Sequence, residues 1–309
     1  MSLQSDHRIR TMGNLEFFAR QAVEGFITGM HKSPYHGFSV EFAEHRLYNS
    51  GESTRHIDWK LFARTEKLFV KRYEEETNLR CHILIDTSSS MHYPMESTGA
   101  GGMSKLGFAV HAAAALTELF RRQRDAVGLT CFADKVNLQT RTATSGTHLR
   151  KIYHSLEQLL ATPKEMTLSG SSVSDALHTV AGSIPGRSLV VIFSDMMDNS
   201  QHADDLFNAL QHLKHNKHEV ILFHLNESKK EVNFEFDNRP YTFVDLETGE
   251  EVKLNPGEVK EHYKNQMHRF ISDLKFRCAQ YRIDFVDCDI NHGFEQVLLK
   301  YLIKRQKMF

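Results

Sequence analysis

Short apolar segments that alternate with helical segments from about residue 80 onward most constrain the fold of this chain. Each apolar segment has the length and composition of a strand that is buried on both faces. Strands that are separated by helices need crossover connections, and such connections join parallel strands. We therefore predict an α/β fold with a doubly wound, mostly parallel sheet and helices on both faces. The predicted strands are Cys81 to Ile85, Val127 to Phe132, Leu189 to Phe193, Val220 to Phe223 and Ile283 to Val286.

The segments between these strands carry apolar residues at helical spacing. The first helix follows Ser104, which we predict as its N-cap, and its wide apolar surface predicts deep burial. Late in the chain, two short strand-like segments flank Glu247-Thr-Gly-Glu250, a pattern that predicts a β-hairpin insertion. The other predicted helices are Thr147 to Ala161, Ser172 to Ala181, His202 to His215, Glu258 to Tyr281 and Gly293 to Lys304.

The first 78 residues lack this alternating pattern. Apolar residues recur at helical spacing between Leu15 and Phe26, and short apolar pieces follow from Phe38 to Tyr73. We therefore predict two regions: an N-terminal extension of residues 1–78 that packs on the main domain, and the α/β domain of residues 79–309.

The composition of the chain argues against three classes of protein: nucleic-acid-binding, membrane-spanning and secreted. Lys plus Arg is 38 and Asp plus Glu is 39, so the chain lacks the positive excess of a general nucleic-acid-binding protein. No apolar run approaches the roughly 18 residues that cross a bilayer, and residues 1–12 lack the apolar core of a signal peptide. The four cysteines form no Cys-x-x-Cys pair, so we expect reduced, buried thiols. These features predict a cytoplasmic protein without a membrane span.

The first predicted strand ends at Asp86, and two hydroxyl residues, Ser88 and Ser90, follow at once. The carboxyl end of a central strand is where open α/β sheets bind their ligands. One carboxylate and two hydroxyls offer hard oxygen ligands, which suit a cation such as Mg²⁺ or Mn²⁺. They leave much of its charge unneutralised, which favours metal-bridged binding of an acidic partner.

Two further loops are expected at the same edge of the sheet. One contains Ser171 and precedes a predicted helix, and the other supplies Asp195 after the strand Leu189 to Phe193. Both residues are candidate metal ligands, directly or through water. The alternative is that Asp86, Ser88 and Ser90 only cap the following turn, because such side chains often bind nearby backbone amides.

This pattern resembles the metal-ion-dependent adhesion site of von Willebrand factor A-type domains. Asp86, Ser88 and Ser90 match its Asp-x-Ser-x-Ser motif, and Asp195 matches its last Asp. The resemblance implies a von Willebrand factor A-like, Rossmann-like domain that binds Mg²⁺. The chain departs from the pattern at two positions. Ser171 replaces a Thr and loses the methyl group that restricts its rotamer, and Met196 replaces a Gly, which narrows access.

The segment before the sheet contains Arg55-His-Ile-Asp58-Trp59, and with this motif the chain is similar to the bacterial domain-of-unknown-function family 58. The similarity covers roughly residues 35–305, and Arg55-His-Ile-Asp58-Trp59 is its most specific part. Arg55 and Asp58 are close enough in sequence to pair, and Trp59 is expected to anchor the segment through its apolar area. A partner surface formed by these three residues is the alternative. Relatives in this family are often encoded beside MoxR-type AAA+ ATPases, so the resemblance implies such an ATPase as partner.

We therefore expect a non-catalytic, divalent-metal-dependent protein-binding module that works as an adaptor or co-chaperone with a MoxR-type AAA+ ATPase. A metal-dependent phosphoryl hydrolase with Asp86 as nucleophile is one alternative. Hydrolases of that type use Asp-x-Asp, however, and here the second position is Ser88, whose hydroxyl cannot act as a general acid or base near neutral pH. A purely structural interaction module with a vestigial metal site is the other alternative.

Overall fold

A computed structural model describes residues 14–30, 45–48, 59–71, 79–94, 103–161, 173–197, 203–246 and 248–306. The chain divides into two compact units, one of Met1–Ile27 with Leu79–Phe309 and one of Thr28–Asn78. The predicted extension, residues 1–78, therefore contributes to both units. No helix among the described residues is long and apolar enough to cross a membrane.

The first helix, α1 (Leu15–Met30), begins in the larger unit. The backbone N–H of Leu15 donates to Glu157 Oε1 at 2.9 Å, and Glu24 pairs with Arg122 at 3.0 Å. The smaller unit contains strand β1 (His45–Leu47), helix α2 (Trp59–Thr65) and strand β2 (Phe69–Lys71), and its two strands pair antiparallel.

A six-stranded sheet forms the centre of the larger unit. Its strands are β3 (Arg80–Asp86), β4 (Ala126–Phe132), β5 (Val136–Gln139), β6 (Leu189–Ser194), β7 (Glu219–Asn226) and β10 (Asp284–Asp289). They lie in the order β10-β7-β6-β3-β4-β5, and all neighbouring strands are parallel except β4 and β5. The predicted α/β fold with a mostly parallel sheet is thereby confirmed, and the five predicted strands lie at their expected positions.

Helices cover both faces of this sheet. They are α3 (Lys105–Arg122), α4 (Gly146–Ala161), α5 (Val173–Ser183), α6 (Ala203–His215), α7 (Pro256–Gln280) and α8 (Glu295–Gln306). One face forms an apolar core with α5, α6 and α7, while α3 packs on β3 and β4 and against α4 and α8. Successive strand residues point to opposite faces, and the central strands are buried on both.

The predicted helix boundaries agree with these bounds to within about two residues. Ser104 is the N-cap of α3, since its side chain accepts a hydrogen bond from the N–H of Gly107 at 3.0 Å. The predicted hairpin is also present, as β8 (Tyr241–Val244) paired antiparallel with β9 (Glu251–Leu254).

Among the described residues of the larger unit, three elements were not predicted: the 3₁₀ turn Ser89–His92, the antiparallel edge strand β5 and a π-helical turn, Ser228–Val232, which follows β7. The π-helical turn carries Glu231 toward the carboxyl ends of the central strands, where Asp86 also lies.

Candidate metal centre

Asp86 is the last residue of β3, and its side chain is wholly buried. The neighbouring parallel strand β6 pairs Phe193 with Ile85, so the next residue of each strand, Ser194 and Asp86, lie side by side. The hydroxyl of Ser194 donates to Asp86 Oδ2 at 2.5 Å. The sheet register therefore places the Asp86 carboxylate against the end of β6.

The loop after Asp86 brings two hydroxyl groups to the same place. The N–H of Ser88 donates to Asp86 Oδ1 at 2.8 Å, so the aspartate caps its own turn. Ser88 Oγ and Ser90 Oγ lie 3.1 Å apart, and the side chain of Ser88 does not cap the short 3₁₀ turn that follows. Turn capping therefore accounts for part of the Asp86 hydrogen bonding and does not explain the paired hydroxyls.

Asp195 follows β6 directly and is wholly buried as well. Its Oδ2 accepts from the ammonium of Lys105 at 2.7 Å, and its Oδ1 accepts from the N–H of Met197 at 3.1 Å. The hydroxyl of Ser90 also donates to it. Burial would raise the pKa of Asp195, but the Lys105 charge and these hydrogen bonds hold it below its usual value. Asp195 is therefore an ionised group with both oxygens engaged.

The pKa of the Asp86 carboxyl group is shifted in the opposite direction from that of Asp195. Burial raises its pKa well above the usual value, and the nearby negative charge of Asp195 raises it further. The hydrogen bonds from Ser194 and Ser88 oppose this rise without cancelling it. The ionised form of Asp86 is therefore disfavoured unless a cation compensates its charge, and among the described residues no cation contacts this carboxyl group.

Two residues of this centre, Lys105 and Glu231, were not predicted. The Lys105 ammonium is wholly buried and bonds to Glu231 Oε1 at 2.5 Å as well as to Asp195. A signal for Lys105 was present in the sequence, since it is the charged first residue of an otherwise strongly apolar helix. Ser194 was predicted only as a loop residue between the strand Leu189 to Phe193 and Asp195; the structure makes it the last residue of β6, and its hydroxyl donates to Asp86.

The structure describes four of the five predicted metal ligands and brings them together: Asp86, Ser88, Ser90 and Asp195. Ser171 lies outside the described residues. Met196, which stands where the resemblance led us to expect glycine, has a φ of 52° and a wholly buried side chain. A positive φ favours glycine, which is the physical reason for glycine at such a position.

The predicted partner surface is described in part. Arg55 and Asp58 lie outside the described residues. Trp59 begins α2 and stays 59% exposed, with an edge-to-face contact to Phe62 at 6.1 Å between ring centroids. The wide exposure of the indole leaves most of its apolar area available for contact.

The donor set fits a hard divalent cation. Among the described residues no group of three or more His, Cys, Asp and Glu side chains is arranged to hold a metal ion. The candidate centre is of another type, because it combines one under-compensated carboxylate with two hydroxyls and a second carboxylate behind them. Oxygen-only sets of this kind suit Mg²⁺ and Mn²⁺, which usually retain several waters.

Comparisons with known proteins give relatives without an assigned function. The model of a family described as "Protein of unknown function DUF58" matches residues 44–270. Uncharacterized proteins of Mycobacterium bovis and Mycobacterium tuberculosis are 32% identical over 105 residues, which are 34% of this chain and 32% of each relative. The match therefore spans about a third of the length of these relatives.

Two solved structures are similar to this chain at low sequence identity. One is the conserved hypothetical protein BatB from Bacteroides thetaiotaomicron, with 14% identity and a TM-score of 0.45, covering 74% of this chain and 99% of that one. The other is an aerotolerance-related membrane protein from Bacteroides fragilis, with 15% identity and a TM-score of 0.44, covering 73% of this chain and 99% of that one.

Proposed function

The chain belongs to the family described as "Protein of unknown function DUF58", and from this premise we propose that it is a non-catalytic protein-binding module whose Asp86 centre holds a divalent cation. The cation is Mg²⁺ or Mn²⁺, held by Asp86, Ser88 and Ser90 with Ser171, and supported by Asp195. The site corresponds to a metal-ion-dependent adhesion site in a von Willebrand factor A-like domain.

The charge balance of the centre carries this proposal. Among the described residues, Asp86, Asp195 and Glu231 contribute three carboxylates, and Lys105 contributes one ammonium in contact with two of them. Buried charges are stable only when they are paired or coordinate a metal. If all four groups are ionised, two negative charges remain, and one divalent cation neutralises both.

The chemistry of the centre favours binding over catalysis. A divalent cation bound there supplies a Lewis-acidic position that accepts a carboxylate oxygen of a partner. Both oxygens of Asp86 already accept hydrogen bonds, from the N–H of Ser88 and the hydroxyl of Ser194. Those bonds orient Asp86 as a ligand and weaken it as the nucleophile of a phosphoryl hydrolase. Ser88, two residues on, does not replace the carboxylic acid that such an enzyme needs.

The partner we propose is a MoxR-type AAA+ ATPase, for which this chain acts as an adaptor or co-chaperone in the cytoplasm. This part rests on the family resemblance and on the need for an acidic group that completes the cation's ligands. The exposed indole of Trp59 offers a second contact area, with Arg55 and Asp58 beside it in sequence.

The first experiment is a calorimetric titration with Mg²⁺ and Mn²⁺ of the unmodified protein, of Asp86→Ala and of a control, Asp237→Ala. Asp237 is a widely exposed carboxylate outside the centre. Saturable binding to the unmodified protein and the control, lost in Asp86→Ala, supports the metal centre. Equal binding by all three proteins contradicts it.

The second experiment tests the partner. A purified MoxR-type ATPase is titrated with the protein in Mg²⁺ and again in EDTA. Complex formation that needs both Mg²⁺ and Asp86 supports the adaptor function. Complex formation that is insensitive to both favours the structural module with a vestigial site, and hydrolysis of a generic phosphate ester by the protein alone favours the hydrolase.

A further inference from the structure

Lys105 is a wholly buried lysine at the first position of a helix, which is an unfavourable place for it in two respects. Lysine is almost never fully buried without a partner, because removing the ammonium from water is costly. The N-terminal end of a helix also carries a partial positive charge that disfavours a cation. A lysine in this position needs specific anionic partners.

The contacts of Lys105 fix the ammonium between two carboxylates. Its Nζ donates to Asp195 Oδ2 at 2.7 Å and to Glu231 Oε1 at 2.5 Å, and its backbone N–H donates to the carbonyl of Tyr93 at 2.9 Å. Glu231 is itself held, because its Oε2 accepts from the N–H of Glu227 at 2.9 Å. The ammonium therefore lies in two ion pairs, and these compensate its charge in a site from which water is excluded.

These contacts make the two aspartates of the centre different. Asp195 is paired with the ammonium of Lys105, whereas Asp86 remains for the proposed divalent cation. One oxygen of Asp195 accepts from the ammonium of Lys105 and the other from the N–H of Met197, so the negative charge of Asp195 is already compensated by a cation. Within the described part of the chain, the hydrogen-bond donors to Asp86 are all neutral: the N–H of Ser88 and the hydroxyl of Ser194. The centre therefore offers a divalent cation one carboxylate, although its sequence supplies two.

We propose that Lys105 sets the cation affinity of this centre by keeping Asp195 in an ion pair and out of the cation's inner ligand shell. The inference rests on the proposed metal binding at Asp86 and deepens it. A cation ligated by a single carboxylate keeps a net positive charge, and this charge is available to the carboxylate of a partner. The same ammonium repels the bound cation, so binding in the absence of a partner is weak.

The experiment compares Mn²⁺ affinity, measured by calorimetry and by the electron paramagnetic resonance of free Mn²⁺, in the unmodified protein and in Lys105→Met/Glu231→Gln. The second substitution avoids leaving Glu231 as an unpaired buried charge. We expect the double variant to bind Mn²⁺ at least about tenfold more tightly, because Asp195 becomes a direct ligand and the repulsive ammonium is gone. Adding Asp195→Asn should return the affinity to that of the unmodified protein.

Lys214→Met is the matched control. Lys214 forms an ion pair with Glu219 at 3.5 Å, at the amino end of β7 and therefore at the opposite edge of the parallel sheet from Asp86. Its removal should leave Mn²⁺ affinity unchanged. Circular dichroism and a cooperative melting transition establish that each variant is folded, and Lys105→Gln provides the same comparison if the double variant does not fold.

Each outcome separates this inference from the proposed function. If the unmodified protein binds Mn²⁺ and the folded Lys105 variants bind no more tightly, Lys105 has a structural role only and the inference is overturned, while metal binding stands. If only the Lys105 variants bind, the inference is supported and the proposed function of the unmodified protein is overturned. If no protein binds Mn²⁺, both are overturned.

Discussion

His82 lies in the central strand β3, four residues before Asp86, and provides a quantitative test of how this sheet is packed. Its ring is buried, and within the part of the chain that the structure describes neither ring nitrogen has a hydrogen-bond partner. The register places it opposite Gly128 of β4, where a Cβ atom would come within 3.0 Å of His82 Nδ1. Glycine at 128 leaves the space that the imidazole occupies.

Burial lowers the pKa of His82 from 6.5 to about 4, with smaller contributions from the charges of His218 and Arg80. A lowered histidine pKa means that the unfolded chain binds more protons than the folded one between these two values. The contribution of His82 to the free energy of unfolding is therefore fully present above pH 6.5 and is lost as the pH falls toward 4. From the two pKa values, this single group removes about 2 kcal/mol of unfolding free energy between pH 8 and pH 5, and about 3 kcal/mol by pH 4.

The test uses His82→Leu, which removes the titrating ring and keeps an apolar side chain of moderate size. Urea unfolding is measured for both proteins at pH 8 and pH 5. The loss of unfolding free energy between the two pH values should be about 2 kcal/mol smaller in the variant, whatever the pH-independent effect of the substitution. His154→Leu, at an exposed position of α4, is the control for removing a histidine as such. An unchanged pH dependence in His82→Leu would refute the reasoning.

Three further predictions concern the core and the buried polar groups. Phe193→Ala should lower the free energy of unfolding by about 3–5 kcal/mol in urea unfolding, because a wholly buried ring that stacks on Phe223 leaves a cavity; a loss below 1 kcal/mol would contradict the described packing. Glu118→Gln should lower the free energy of unfolding by about 1.5–3 kcal/mol in the same assay, since the buried carboxylate accepts hydrogen bonds from Arg121 and Arg122. The four free cysteines, all buried, should not react with a thiol reagent in the native protein and should all react after unfolding; rapid labelling of the native protein would show that a thiol is accessible.

The positions of Asp86 and Asp195 could be predicted because both follow strands that are buried on both faces. Such strands are nearly continuous apolar runs in the sequence, so their ends are clear, and the polar residues that come directly after each run lie at the carboxyl edge of the sheet. The edge strand β5 was missed for the converse reason. Its four residues, Val136–Gln139, alternate between half-buried and exposed and give too short a pattern to separate from a loop.

The sequence by itself therefore determined the α/β fold, the edge of the sheet where the candidate centre lies, and the type of ligand that its oxygens suit. Only the tertiary structure decided the charge balance of that centre. Two carboxylates contact Lys105 although they lie far from it in sequence, Asp195 by 90 residues and Glu231 by 126. The start of a helix, the end of a strand and a π-helical turn bring the three residues together. Burial and pairing of a charge depend on which distant groups exclude water around it, and local sequence patterns do not contain that information.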